Sequence, residues 1–274
     1  MKNLLLNFGC SFTYGEALEF HYWKDNYPNS FELYKNKVTY FPSSLIMISI
    51  DELVAYREKY RYSGILKNFL NFNLLGKSEN GGNNYRNIER LEILIDYLKI
   101  ETNYLPKYCV FQFTNVIRDV IEFSNNPHSF NEKDDAVKWI GVEKKKEIVE
   151  NIKILDDPLR RTAINQTIAD VFFVIYQRLI KNFEVLEEMG CKCVFFMGLE
   201  DFYSYHLIEK TIKESKYFMP IIFNGHEYRS WDAMNKDCYL TIKQNIGVND
   251  DHPCLDSHKW LANQLYKKYQ QISK

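Results

Sequence analysis

NLLLNFGCSFTYG, Asn3 to Gly15, is the stretch on which the fold turns. Asn3–Phe8 is a short, nearly continuous apolar run that stops at Gly9, as expected of a strand buried on both faces of a parallel sheet. Gly9 permits a tight turn there and places Ser11 at the carboxyl edge of the sheet, where α/β folds bind ligands. Two further strands are predicted, Tyr108–Phe113 (YCVFQF) and Cys191–Met197 (CKCVFFM). Before the last of these, Ile164, Ile168, Val171, Phe172, Ile175, Leu179, Phe183 and Leu186 recur at helical spacing, and Gly190 stands where a C-cap belongs. The final segment predicts a helix with Asp256 as N-cap and Leu261, Leu265 and Ile272 as its apolar stripe. Lys267 and Lys268 suit the negative end of that helix. Strands alternating with helices, too far apart for hairpins, imply βαβ crossovers. The predicted class is α/β, a three-layer α/β/α arrangement with a central parallel sheet.

Residues Phe20–Tyr60 fit this pattern least: they are rich in Tyr and Phe, carry YPNS and FPSS turn signals, and lack a clean period. They read as an insertion in a single domain spanning residues 1–274, forming a lid or substrate wall. Phe20, Tyr22, Trp23, Tyr27, Tyr34, Tyr40 and Phe41 within it suit packing of the insertion better than stacking on sugars. The span Asn125–Pro158 is highly charged, with one helical piece.

A net charge of -1 argues against a nucleic-acid binder, which carries a basic excess or stripe. The run Lys144–Lys146 is flanked by Glu143 and Glu147 and reads as a solvated helix face. No stretch reaches the roughly 18 apolar residues of a membrane span. The opening MKNLLLNFGCSF lacks the apolar core and cleavage site of a signal peptide, and six cysteines in 274 residues do not make a disulfide scaffold. The cytoplasm is the expected compartment. Cys10, Cys109, Cys191 and Cys193 read as small hydrophobes in or beside strands. Cys191-Lys192-Cys193 has no second Cys/His pair at zinc spacing, so no metal is expected. Gly76-Lys77-Ser78 lacks the first glycine of a phosphate loop, and the Asn165-Gln166-Thr167 sequon lies inside a predicted helix.

The chemistry is read from the two ends of the chain. A serine hydroxyl needs a base to remove its proton before it can act as a nucleophile. Ser11 alone reads better as a helix cap than as a nucleophile. Near the other end stands NDDHPCLDSHKWLA, Asn249 to Ala262, in which two carboxylates precede His252 and Pro253 stiffens the turn. A carboxylate beside a histidine holds the imidazole in one tautomer and frees its other nitrogen to act as base.

Together these segments resemble the SGNH/GDSL hydrolase family. GCSFTYG at Gly9–Gly15 is similar to its first block, with Cys10 replacing the middle Asp of the GDS triplet. DDHP is similar to its last block, although the third residue before His252 is Asn249 and not an acid. The resemblance makes Asp250 the orienting acid, with Asp251 or a Ser11–His252 dyad as alternatives. His258 reads as structural. NGGNNYRNI, Asn80 to Ile88, resembles the second block, with the Gly82 N–H as oxyanion donor and Gly81 as its alternative. FQFTNVIRD, Phe111 to Asp119, resembles the third, with Asn115 as donor. There Phe113 and Val116 depart from the family pattern, and Gln112 or Arg118 is the alternative pocket residue. The resemblance implies a flavodoxin-like fold and a serine esterase that acts through an acyl-enzyme. Catalysis would use Ser11, Asp250 and His252, and the oxyanion would be held by Ser11, Gly82 and Asn115. The expected substrate is a small acyl ester, acetyl first, on a small molecule or glycan. No cofactor, nucleic acid or membrane is expected. An acyltransferase on the same fold, or a binding protein with a decayed site, is the alternative reading of these residues.

Overall fold

Alternate residues of the first strand go to opposite faces of one sheet. In strand β1 (Lys2–Phe8) Leu4, Leu6 and Phe8 join one core and Leu5 joins another. The computed structural model describes residues 1–38, 41–42, 49–76, 83–119, 158–200 and 204–274. Strands β2 (Asn73–Leu75), β3 (Tyr104–Phe113) and β4 (Lys192–Met197) complete a four-stranded sheet in the order β2-β1-β3-β4, every pair parallel. The same period of two divides β3 and β4: Cys109, Phe111, Phe113, Cys193, Phe195 and Met197 face one side. Tyr108, Val110, Val194 and Phe196 face the other. Beyond β4, Phe195 N–H donates to Tyr217 O at 2.9 Å and Met219 N–H to Phe195 O at 2.9 Å, extending the sheet by one parallel bridge.

Helices cover both faces. Besides α1 (Ser11–Tyr14), the chain forms α2 (Glu19–Asn26), α3 (Pro28–Tyr34), α4 (Ile50–Tyr60), α5 (Tyr62–Leu70) and α6 (Asn84–Ile100). After β3 come α7 (Pro158–Glu188), α8 (Tyr205–Glu214), the hairpin of β5 (Ile221–Phe223) and β6 (His226–Tyr228), α9 (Trp231–Asp237), α10 (Ile242–Ile246) and α11 (Leu255–Ile272). The apolar stripes of α6, α7 and α8 fill one core. Those of α5, α9 and α11 fill the other, with Tyr62, Trp231, Leu261 and Leu265 fully buried. Each large side chain removed from water in this way stabilises the layers by about 1.5–3 kcal/mol. The protein is thus a three-layer α/β/α fold with a parallel central sheet. No described helix is long and apolar enough to cross a membrane.

The predicted stripe of α7 is buried from Ile168 to Leu186, and Gly190 adopts a left-handed φ of 81° just after the helix. Cys191 and Cys193 are buried among these apolar side chains. One boundary is corrected. Cys254, not Asp256, is the N-cap of α11; Asp256 lies in the first turn, where its charge still favours the positive end of the helix dipole. Strand β2 went unforeseen because it is only three residues long, and it lies at the sheet edge.

The aromatic segment after β1 folds into α2, α3 and α4, the last held by a Ser49–Glu52 capping box. Phe20, Trp23 and Phe31 pack with Ile242, Ile246, Val248 and Cys254 in a third apolar cluster. Trp23 meets Phe31 edge-on at 5.3 Å and Phe41 at 6.3 Å, so these rings are occupied with one another. Tyr40, Lys144–Lys146 and the 125–157 span lie outside the described residues.

Candidate active site

The strand order reverses beside β1, since the chain passes to β2 on one side and to β3 on the other. The crevice beyond the carboxyl ends of β1 and β3 is therefore the switch point at which α/β sheets bind ligands. Ser11 follows β1 there, as the first residue of α1. Gly9 is needed for space, not for an unusual turn: a Cβ at this position would collide with Thr13 Oγ1 and Gln112 Oε1. Gly15 ends α1 in the left-handed region, φ 79°, with its N–H on Ser11 O at 3.0 Å.

Beneath Ser11 lies a buried polar network. The Thr13 hydroxyl meets Tyr62 Oη at 3.0 Å and also Gln112 Oε1, while Tyr62 Oη donates to Asn7 Oδ1 at 2.9 Å. Gln112 Nε2 reaches Cys10 Sγ at 3.4 Å, and Gly198 leaves room for the Gln112 side chain. Gln112 is fully buried, so it supports the turn from below and does not line the cleft.

His252 arrives from the other end of the chain. An antiparallel bridge between Thr241 and Pro253 fixes its loop, with Ile242 N–H donating to His252 O at 2.8 Å and Lys243 N–H to Asp250 O at 2.8 Å. His252 Nδ1 lies 2.7 Å from Asp250 Oδ1, which also accepts the His252 backbone N–H at 2.8 Å. His252 Nε2 lies 3.2 Å from Ser11 Oγ. The order Asp250–His252–Ser11 is that of an oriented base and its hydroxyl. Asp251 lines the same cleft but is solvent-exposed.

A second carboxylate, which the sequence reading passed over, faces the same ring edge. Glu16 Oε2 lies 3.2 Å from His252 Nε2. Burial favours the neutral imidazole, yet Asp250 and Glu16 outweigh it and push the His252 pKa up to about 10. Burial also opposes the charge on Asp250, but its bond to His252 holds its carboxyl below the usual range. The only sequence signal for Glu16 is an acid one residue beyond the glycine that ends α1.

The cleft encloses about 350 Å³ and is lined by Ser11, Phe12, Arg118, Leu199, Asp232, Lys236, Asp250, Asp251 and His252. The Phe12 ring meets His252 edge-on at 5.2 Å. Lys236 is paired with Asp232 at 2.8 Å.

Asn115 is not brought into this cleft. Its Oδ1 accepts the Ile117 N–H at 2.8 Å and its Nδ2 reaches Glu200 O at 3.4 Å, so the amide is engaged in the turn after β3. Arg118, three residues on, lines the cleft instead. Gly81 and Gly82 lie outside the described residues. The asparagines that follow them tie α6 to the site: Asn87 Nδ2 donates to Gly9 O at 3.2 Å. Asn84 exchanges hydrogen bonds with the Thr114 backbone at 2.8 and 3.0 Å. Buried Asp119 accepts from Asn84 Nδ2 at 2.8 Å and from Tyr85 N–H at 2.9 Å, closing the turn that carries Arg118.

His258 stands apart from the site. Its Nδ1 accepts the Tyr62 N–H at 3.2 Å, its ring packs 5.1 Å from Trp231, and burial pushes its pKa down to about 3.

No protein-family model and no curated protein matches the chain. Among solved structures it is similar to a carbohydrate esterase described as having an active site with divergent catalytic and non-catalytic binding functions. The TM-score is 0.41 and the identity 11%, over 98% of this chain and 68% of that one. A likeness that loose carries no argument, and the α/β/α architecture with its cleft stands on the geometry above.

Proposed function

We propose that the protein is a serine esterase of the SGNH/GDSL type, a single domain in which Ser11 is the nucleophile, His252 the base and Asp250 the orienting acid. One observation carries the reading: a serine and an Asp-bound histidine, 241 residues apart, meet at 3.2 Å at the sheet's switch point. The neutral His252 ring, with Nδ1–H on Asp250, takes the Ser11 proton at Nε2 as Oγ attacks the ester carbonyl. The Oγ–C bond forms and the carbonyl becomes an oxyanion. The oxyanion then re-forms the carbonyl, the bond from its carbon to the ester's leaving oxygen breaks, and that oxygen takes the proton from Nε2, so that the alcohol departs and an acyl-serine remains. Water, deprotonated by His252, then releases the acid by the same two steps.

The Ser11 N–H, at the first position of α1, has no partner within its own helix and suits the oxyanion. The cationic Arg118 takes the place in the cleft that the resemblance assigned to Asn115, and Gly82 remains the proposed third donor. A cleft of about 350 Å³ with Phe12 and Leu199 as its apolar walls suits a short acyl chain, acetyl first, on a polar alcohol such as a sugar.

Hydrolysis of short-chain p-nitrophenyl esters tests the proposal. Ser11→Ala is expected to lose at least about 10³-fold in rate, and a fluorophosphonate should label Ser11 only while His252 is intact. Equal turnover by the wild type and Ser11→Ala sinks the esterase reading.

A further inference from the structure

We infer that Glu16 is a positioning residue: it forms with Asp250 a two-carboxylate clamp on His252 that stabilises the imidazolium and sets the pH at which the base becomes free. For its kinetic consequence the inference rests on the esterase reading; for its geometry it does not. Asp250 engages Nδ1 at 2.7 Å, the usual orienting contact. Glu16 engages the opposite nitrogen at 3.2 Å, the same edge and the same distance at which Ser11 Oγ stands. Nε2 therefore has two neighbours that want different things from it. Ser11 can give its proton only to a bare Nε2, whereas a carboxylate beside a bare nitrogen places two electron-rich atoms together. Once Nε2 carries a proton, the carboxylate becomes an ion-pair partner. The clamp thus favours the state formed after the proton leaves Ser11, and it also favours an enzyme that rests with His252 already protonated.

Among the described residues, the other groups around the ring do not cancel this. Ser11 and the Phe12 edge are uncharged. Asp251 is a third acid, in solvent. From α9 the cation Lys236 is matched by Asp232. Arg118, from the turn after β3, is the remaining cation among the described residues that line the cleft. Behind the loop, buried His258 of α11 is held neutral by burial. Burial holds the Glu19 carboxyl of α2 toward the neutral form; the cation Arg57 of α4 opposes that, and the negative charges of Glu16 and Asp250 add to it. The Glu16 side chain is 26% exposed, with the oxygen that faces the ring buried.

The chemistry predicts a crossed pH profile. Removing the Glu16 charge frees the base at lower pH and weakens support for the imidazolium in the transition state. Glu16→Gln should move the acid limb of kcat/KM down by about one pH unit, a tenfold change in the free-base fraction at a given acid pH, and lower the alkaline plateau. Glu16→Asp, which keeps the charge, should retain a limb near that of the wild type. His252 titration followed by NMR of ring-labelled histidine reads the clamp without turnover, and it should shift downward in Glu16→Gln but little in Glu16→Asp. A downward shift without ester hydrolysis by the wild type supports the clamp while removing the esterase reading. An unmoved His252 titration, or a rate lowered equally at every pH with an unmoved limb, overturns the inference.

Discussion

His252 and His258 lie six residues apart, one in the loop before α11 and one inside it, and their surroundings drive them in opposite directions. His252 sits at the edge of the cleft between two carboxylates, and they push its pKa up to about 10 against the effect of burial. His258 is wholly buried between Tyr62 and Trp231, and that burial pushes its pKa down to about 3. Both are substantially shielded from solvent. The difference lies in which partners are within reach: acids for one, a backbone N–H and aromatic rings for the other. One ring is placed to change its protonation state, and the other is built to keep it.

Removing each ring should sharpen that contrast most. His252→Ala is expected to lower ester hydrolysis by about 10⁴-fold or more, as does loss of the base in serine hydrolases generally, a larger effect on catalysis than on stability, the latter confined to pH values below about 10. His258→Ala should do the reverse. It leaves a cavity among Tyr62, Trp231 and α11 and strips the Tyr62 N–H of its acceptor, a loss of roughly 2–5 kcal/mol. The protein that remains folded should turn over ester at close to the wild-type rate. Activity per active site, counted with a fluorophosphonate, separates the two effects. Comparable catalytic loss in both variants would erase the distinction.

The pH dependence of stability comes next in size. For His258 the folded pKa lies below the ordinary 6.5, so the unfolded chain takes up its proton first as the solution is acidified. Its contribution is complete above about pH 6.5 and drains away toward its folded value of about 3. His21 of α2, whose Nε2 accepts the Leu255 N–H at 3.3 Å, is pushed by burial to about 4 and behaves alike. For His252 the sign reverses. Its contribution is complete below about pH 6.5 and is lost as pH rises through about 10. Urea denaturation across pH should show His258→Gln flattening the acid side and Asp250→Asn the alkaline side. The same limb flattened by both variants would contradict the opposite signs.

These two histidines also show how far sequence reading goes. The acid–acid–His–Pro string marks His252, because the carboxylate bonded to its ring, that of Asp250, is a chain neighbour. Strands β1, β3 and β4 were visible for the same local reason, since burial on both faces leaves an uninterrupted apolar run. Glu16 is local too, but nothing in its spacing says that its carboxylate faces a ring from the far end of the chain. The support beneath Ser11 was hidden for another reason. Asn7, Tyr62, Thr13 and Gln112 come from four separate elements and meet only after the sheet assembles. Asn115 illustrates the converse case. A position aligned by family spacing is engaged by the Ile117 and Glu200 backbone, while Arg118 reaches the cleft. Spacing predicts neighbours along a strand well, and partners across a cleft poorly.

The smallest expected effect is at Asp251, set against that at its neighbour Asp250. Asp250 is bonded to the ring and to the backbone N–H of the same residue, so Asp250→Asn removes a fixed charge and leaves an amide free to stabilise the wrong tautomer. A loss of about 10³–10⁴-fold follows if this acid orients the base. Asp251 points its charge into solvent at the cleft mouth, where water and salt screen it within about 8–10 Å. Asp251→Asn should therefore change kcat/KM by no more than about threefold, and the difference should shrink as salt is added. The ratio of the two effects measures how much of the His252 environment is contact and how much is field. If Asp251→Asn is the costly substitution, the loop holds its histidine through the other carboxylate, and the distance from Nδ1 to Asp250 has no catalytic meaning.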